Sequence, residues 1–317
     1  MSINEETVLF RNIFSPGSLE NIQNIIDTEQ KFVYYTSADT VLKILRKKEL
    51  WFRNARTMND FSEITYGLEL VQSIFEGKAG EKFRQAVDEI FAGTIEKTNA
   101  LLLGWIHDWQ IETYIACISL HNPEEDGQGR LSMWRAYGDT ALVVNNTPMT
   151  QFSDLSAVLS FQVRYMSAEG LFDHLTKITA AIINNSDYLK GLGQNTLVSY
   201  IHSMIFEISI GTKHPGFKEE NEWRLYYRPS ERKSAIMNEE IVVLGGIPQK
   251  IFKLQLGDYP EHGLVNADIP SLLDHIIIGP TKFPSVIYSA FVAELESMGI
   301  QNAVTKVVVS DIPLRLG

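Results

Sequence analysis

The sequence predicts an α+β fold, in which a central, partly split antiparallel sheet carries helical insertions. Strand-like segments occur near both ends of the chain, and two blocks with the three-to-four spacing of amphipathic helices lie between them, near residues 62–112 and 168–210. This grouping favours α+β over a repeating βαβ sheet. No Gly-x-Gly-x-x-Gly or phosphate-loop pattern occurs, which excludes the common nucleotide-binding folds.

The first elements are a strand, a helix and a second strand. "KFVYYTS" at 31–37 is rich in β-branched and aromatic residues, which is typical of a strand. "SADTVLKILRKKEL" at 37–50 predicts a helix, with Ser37 or Asp39 as its N-cap. "LWFRNA" at 50–55 then predicts the second strand.

The remaining elements follow the same patterns. Two strands are expected in the middle of the chain, at "ETYIACISL" and "TALVVN", with the polar loop "HNPEEDGQGR" at 121–130 between them. "PSVIYSAFVAELESMG" at 284–299 predicts a helix that ends at Gly299. The later strands are expected at "EWRLYYR", "EIVVLGG", "KIFKLQLG", "HIIIGP" and "KVVVS".

Composition limits the class of protein. With 44% hydrophobic residues among 317, the chain is long and apolar enough to bury a core. We expect an N-terminal arm or helix over residues 1–30 and a single domain over 31–317. The formal charge of −11 argues against non-specific nucleic-acid binding. We find neither a signal peptide nor an 18-residue apolar run, and Cys117 is the single cysteine, so we expect a cytoplasmic protein without a membrane partner or a disulfide.

Five segments together resemble DUF2971, a family of unknown function. They are "YYTSADTVLKILRKKELWFRNARTMNDFSE", "CIS" followed by "MWRAYGD", "K…KEENEWRL", "IIIGP" and "VVVSDIPLRLG", a pattern that spans residues 32 to 317. The family's opening usually has the form Tyr-His-Tyr-Thr. Here Tyr34 stands where a histidine often does.

The order strand, Thr-Ser, helix, strand is also similar to the first motif of ADP-ribosyltransferase folds. In those folds a polar residue on the first strand holds the ribose of NAD, and a later Glu-x-Glu strand ends on the catalytic glutamate. The resemblance implies an ADP-ribosyltransferase-like sheet, ribose binding by Tyr34, Thr36 and Ser37, and catalysis by Glu222 with Glu220.

The glutamate pair has a chemical rationale and an alternative. On a strand, Glu220 and Glu222 would project to the same face. A carboxylate there would stabilise the oxocarbenium-like cation that forms when nicotinamide leaves the ribose. The alternative is a structural ion pair of Glu222 with Arg224 or Lys213, and both cations are also candidates for cofactor binding.

Two further segments contribute candidate binding residues. Asn59, Asp60 and Glu63 cluster where a loop enters a helix, and a capping box explains the same pattern without a ligand. In "LSMWRAYGD", Trp134 and Tyr137 suit a nucleotide base, although core packing is the alternative for Trp134.

Histidine spacing gives no metal prediction. The seven histidines form no i, i+4 pair and no close doublet, so no histidine-based metal centre is expected. His121 in the polar loop and His214 near the glutamates are candidates for an acid or base, with an ordinary surface role as the alternative.

Three function classes follow. The first is an NAD-consuming enzyme, an ADP-ribosyltransferase or NAD glycohydrolase that uses NAD as its substrate and serves as a toxin or antiviral defence effector. The second is a metal-dependent nuclease or phosphodiesterase built on Asp60, Glu220, Glu222 and Lys213. The third is a non-catalytic module that binds a nucleotide or a partner. A small nucleotide ligand is expected, whereas the sequence predicts neither the macromolecular acceptor nor the oligomeric state.

Overall fold

The structure is a computed structural model that describes residues 5–58, 62–150 and 157–313. With 54% helix and 23% strand, it confirms the predicted α+β class. The helices are α1 Glu5–Phe14, α2 Ser18–Asp27, α3 Ala38–Lys47, α4 Ser62–Glu76, α5 Glu81–Ile90, α6 Thr94–Glu112, α7 Leu131–Tyr137, α8 Thr147–Thr150, α9 Ala168–Asn184, α10 Ser186–Leu192, α11 Gln194–Gly211, α12 Ile269–Leu272 and α13 Pro284–Ser297. The strands are β1 Lys31–Thr36, β2 Glu49–Asn54, β3 Tyr114–His121, β4 Thr140–Val144, β5 Val158–Gln162, β6 Arg164–Tyr165, β7 Thr212–Lys213, β8 Glu222–Tyr227, β9 Met237–Leu244, β10 Ile247–Gln255, β11 Leu273–Ile278 and β12 Val307–Val309.

The chain divides into two compact units, whereas the sequence predicts one domain over 31–317. Both predicted helical insertions lie in the first unit, together with residues 5–23. The first unit comprises the described residues of Met1–Gln23, Asn54–Thr113 and Phe161–Lys218. The second unit comprises those of Asn24–Arg53, Tyr114–Ser160 and Glu219–Gly317.

In the sheet of the second unit, β3 has three partner strands, β1, β2 and β8. The strand order is β12-β11-β4-β1-β3-β2-β10-β9, and β8 pairs with both β3 and β5. Residues 119–121 of β3 pair with β1, while residues 114–119 pair with β8. These pairings are antiparallel, but β12 joins β11 in parallel, so the sheet is mixed at that edge.

Helix α7 covers one face of this sheet. Its Trp134 is 4% exposed, and the indole packs edge-on against Tyr35, with ring centroids 4.8 Å apart. Val33, Val143 and Ile277 belong to the same hydrophobic cluster. The residues of β1 on the opposite face therefore point away from α7.

The first unit is mainly helical, and it buries a histidine in α9. His174 is 9% exposed, and its Nε2 has no hydrogen-bond partner. Burial lowers the pKa of His174 to about 3, and the nearby positive charges of Arg164 and Lys177 act in the same direction. The imidazole is therefore neutral in the folded protein at neutral pH.

This burial predicts that the first unit loses stability in acid. Because the pKa of His174 is about 3 when folded and 6.5 ordinarily, the unfolded chain binds the proton more tightly. The stability is intact above pH 6.5 and falls as the pH is lowered towards 3, by about 2 kcal/mol between pH 7 and pH 5. Urea unfolding at both pH values should show this loss in the native protein, and His174→Leu should remove it. An equal pH dependence in both proteins would contradict the prediction.

Candidate functional site

The two glutamates of the predicted Glu-x-Glu strand do not lie on one strand. Glu222 is the first residue of β8, whereas Glu220 ends the 3-10 turn Pro215–Glu220. Asn221 between them has φ +43°, a left-handed conformation that asparagine tolerates better than most residues. The prediction that Glu220 and Glu222 share a strand face is therefore wrong, because the chain becomes extended only after Asn221.

Glu222 forms a buried ion pair with Arg224. Arg224 donates from Nε to Glu222 Oε1 at 2.7 Å and from Nη2 to Oε2 at 3.3 Å, and the two residues are 1% and 4% exposed. Two charges removed from water in this way depend on each other, because an unpaired buried charge is strongly destabilising. This contact corresponds to the structural alternative for Glu222.

Strand register places Tyr34 and Glu222 on opposite faces of the sheet. Val33 lies opposite Ser119, which lies opposite Glu222, so these three side chains share one face. Tyr34 is next to Val33 on β1 and points to the other face. The prediction that Tyr34 and Glu222 line one cleft is therefore wrong.

Other predicted residues have local contacts. Ser37 caps α3, as expected, because its Oγ accepts a hydrogen bond from the Thr40 N–H at 3.3 Å. Thr36 ends β1 and hydrogen-bonds through its side chain to Tyr34. Trp134 belongs to the core, and its Nε1 donates to the carbonyl of Gln128 at 2.9 Å.

Tyr137 is the partly exposed member of the aromatic pair, at 41% exposure. Its hydroxyl donates to Glu220 Oε1 at 2.9 Å, and this contact joins α7 to the segment before β8. Both residues were predicted from the sequence as site residues, but their contact was not predicted.

The remaining candidate residues belong to the first unit or lie outside the described residues. Lys213 belongs to the first unit, where it is buried with its ammonium 4.8 Å from the centroid of the Phe217 ring. Asn59 and Asp60 lie outside the described residues. Glu63 falls in the first turn of α4, and its side chain is not among those described. His214 is exposed, as expected for an ordinary surface histidine.

Arg130 organises the polar loop, and it is not among the residues predicted from the sequence. Its guanidinium binds both carboxylate oxygens of Glu125 at 2.8 Å and donates to the carbonyls of Glu219 and Glu220 at 2.8 and 3.0 Å. The backbone N–H of Arg130 donates to the Tyr35 hydroxyl at 2.9 Å. These donors fix the loop against the start of β8. The five-residue spacing of Glu125 and Arg130 within a polar loop was the available signal.

A cluster of two histidines and an aspartate lies on the sheet face that carries Val33. One nitrogen or oxygen atom from each of His121, Asp126 and His275 lies within 4.8 Å of the others. His121 Nε2 is 2.7 Å from Asp126 Oδ1, and His275 Nδ1 is 2.6 Å from Asp274 Oδ2. The sequence does not reveal this cluster, because its histidines come from strands far apart in the chain.

The electrostatics of the cluster follow from burial and pairing. Burial lowers the pKa of His121, and the hydrogen bond to Asp126 opposes that shift. The hydrogen bond from His275, with the ammonium of Lys31 at 2.8 Å, holds the pKa of Asp274 well below its ordinary value. Neutral His121 and ionised Asp274 are therefore the forms present at neutral pH.

An apolar cavity opens on the opposite face of the sheet, beneath Tyr34. Its volume is about 80 Å³. Among the described residues that line it, Tyr34 and Ser160 carry hydroxyl groups, none is charged and the others are apolar. The lining residues are Tyr34, Ile44, Leu50, Ile118, Leu142, Val144, Pro148, Met149, Val158, Ser160, Leu225, Leu254, Leu256, Gly263, Leu264, Ala267 and Leu272.

The fold and these sites define an α+β protein whose second unit has an apolar cavity on one sheet face and a histidine cluster on the other. The family model described as "Protein of unknown function (DUF2971)" matches residues 133–225, which confirms the resemblance over that segment. The comparisons with curated proteins and with solved structures found no match. Among the described residues, no helix combines the length and apolar character that a membrane crossing requires.

Proposed function

We propose that the second unit binds a small, mostly apolar molecule in the cavity beneath Tyr34. The observation that carries this proposal is the cavity itself, whose described lining is mostly aliphatic and includes the hydroxyl-bearing residues Tyr34 and Ser160. Protein interiors are close-packed, and an unfilled void loses contacts on its whole surface. A ligand that fills the space would restore those contacts, and apolar cavities of this kind bind small hydrocarbons.

Tyr34 supplies the polar anchor. Burial raises the pKa of its phenol, so the hydroxyl keeps its proton, and beside its hydrogen bond with Thr36 it can donate to a ligand. The second hydroxyl of the lining, Ser160 Oγ, already donates to the Met149 carbonyl at 2.6 Å. A ligand with an apolar body and one hydroxyl or carbonyl group fits this arrangement best.

An NAD-consuming activity has less support from these contacts. Its expected catalytic residue, Glu222, is paired with Arg224 and lies on the other face of the sheet from Tyr34. A dinucleotide also carries phosphates, which proteins usually bind with cations or with N–H groups. None of the described residues that line the cavity is charged. The binding of an apolar ligand therefore explains more of the site than nucleotide chemistry does.

Phenol and benzene are the probes that test this proposal. Calorimetry should detect binding of both to the native protein, and a ligand at twenty times its Kd should stabilise the fold by about 1.8 kcal/mol. Ala267→Leu places a larger side chain in the lining and should abolish binding without a large loss of stability. Tyr34→Phe should weaken phenol binding several-fold and leave benzene binding unchanged.

The matched control is Ala303→Leu. Ala303 is 3% exposed and does not line the cavity, so the added methylenes should overpack its surroundings and cost about 1–3 kcal/mol. If Ala267→Leu destabilises the protein as much as Ala303→Leu does, the cavity has no room for a larger side chain at Ala267, which contradicts the proposal. Absence of phenol and benzene binding to the native protein would also overturn the proposal.

A further inference from the structure

We propose that His121, Asp126 and His275 form a binding site for one divalent transition-metal ion, with Zn²⁺ as the best-fitting ion. The site is separate from the cavity. His121 lies opposite Lys31 in the register of β1 and β3, so it shares the sheet face of Val33. His275 lies opposite Val143 on β4, on the same face.

The three side chains are close enough to share one ion. The candidate ligand atoms of these three residues lie within 4.8 Å of one another. A Zn²⁺ ion binds nitrogen and oxygen at about 2.0–2.2 Å, so tetrahedral ligand atoms are about 3.3 Å apart. Asp126 Oδ1 lies 2.7 Å from His121 Nε2, and its side chain, 50% exposed in a loop, can move to the separation that a shared ion requires.

Two buried ring nitrogens of this cluster have no hydrogen-bond partner among the described residues. His121 Nδ1 and His275 Nε2 are both buried without a hydrogen bond, and their residues are 1% and 8% exposed. A buried polar atom without a partner costs about 1–3 kcal/mol. A metal ion bound to His275 Nε2 would satisfy one of these atoms, and rotation of the His121 ring allows either of its nitrogens to bind.

Asp274 and Lys31 hold the ring of His275 in place. Its Nδ1 is held by Asp274, which in turn accepts from Lys31 Nζ at 2.8 Å. A carboxylate on the second nitrogen is the usual partner of a metal-binding histidine, because it fixes the ring and leaves the Nε2 lone pair available. The pairing of β11 with β4 shifts register between Leu273 and His275, which is where Asp274 lies.

The ligand set indicates the class of ion. Two imidazoles and one carboxylate favour Zn²⁺ and its neighbours over Mg²⁺ and Ca²⁺, which prefer oxygen ligands. Three protein ligands leave a fourth position for water or for a bound molecule. Glu125 lies nearby, with a carboxylate oxygen 3.9 Å from His121 Nδ1, but Arg130 binds both of its oxygens.

The test is Zn²⁺ titration of the chelator-treated full chain in competition with a chromogenic chelator. One equivalent should bind to the native protein, and Co²⁺ in its place should give the visible absorption of a four-coordinate site. His275→Gln and Asp126→Asn should each raise the Kd at least tenfold. Asp274→Asn, which removes the support of His275 and not a ligand, should raise it by about tenfold or more.

His262→Gln is the matched control, because this histidine lies beside Glu261 and outside the cluster. Its Kd should equal that of the native protein. Asp126→Asn decides the result if His275→Gln fails to fold, since Asp126 is in a half-exposed loop. The proposal is overturned if the native protein binds no Zn²⁺ in this titration, or if Asp126→Asn leaves both the affinity and the Co²⁺ spectrum unchanged.

Discussion

Glu222→Gln is expected to lower the free energy of unfolding of the second unit by about 3 kcal/mol. The substitution removes the charge of a carboxylate that Arg224, which is 1% exposed, binds through Nε and Nη2. Removing one charge of a buried ion pair typically costs about 3–5 kcal/mol. Urea unfolding followed by circular dichroism measures the change.

Two further variants separate the ion pair from a general effect of the substitution. Glu219→Gln changes an exposed glutamate three residues earlier and should alter stability by no more than about 0.5 kcal/mol. Replacing both partners with apolar residues, as in Glu222→Leu with Arg224→Met, should recover much of the loss. A catalytic Glu222 predicts the reverse pattern, in which stability is unchanged and nicotinamide release from NAD disappears.

Gly138→Ala is expected to destabilise the second unit by about 3 kcal/mol or more. Gly138 follows α7 with φ +142°, a conformation that residues with a side chain rarely adopt. A Cβ atom there would lie 2.5 Å from the carbonyl carbon and oxygen of Thr36. Backbone strain and the clash each cost about 1–3 kcal/mol. Because the clash is with the backbone of Thr36, it also displaces the end of β1 near Tyr34.

Gly127→Ala provides the control for this substitution. Gly127 lies in the exposed polar loop, and an added Cβ would meet no atom within 4 Å. Its effect should stay within about 0.5 kcal/mol in the same thermal or urea unfolding experiment. If Gly138→Ala is as mild as Gly127→Ala, the close approach of Gly138 to β1 is incorrect.

Local sequence patterns predicted much of the fold. The helix α3 and its Ser37 cap follow from a capping residue before an apolar stripe, and α13 is the helix predicted over 284–299. The strands β9 and β10 were expected on both sides of Gly245 and Gly246. Both glycines have positive φ, as a tight hairpin turn requires.

Non-local contacts account for what the sequence did not predict. The face on which Glu222 lies depends on the register of β8 with β3, and the residue before β8, Asn221, adopts a left-handed conformation that no periodicity reveals. His121 and His275 meet because β3 and β11 belong to one sheet. Patterns within one strand specify which side chains alternate, but they do not specify the partner strand.

The central claim is that the cavity beneath Tyr34 holds a small apolar ligand, and nuclear magnetic resonance tests it most directly. Intermolecular nuclear Overhauser effects should connect phenol to methyl groups of the lining residues Leu142 and Leu254. Effects confined to exposed methyl groups, such as those of Ile241 and Val243 on β9, would contradict the claim, because they would place phenol on the protein surface.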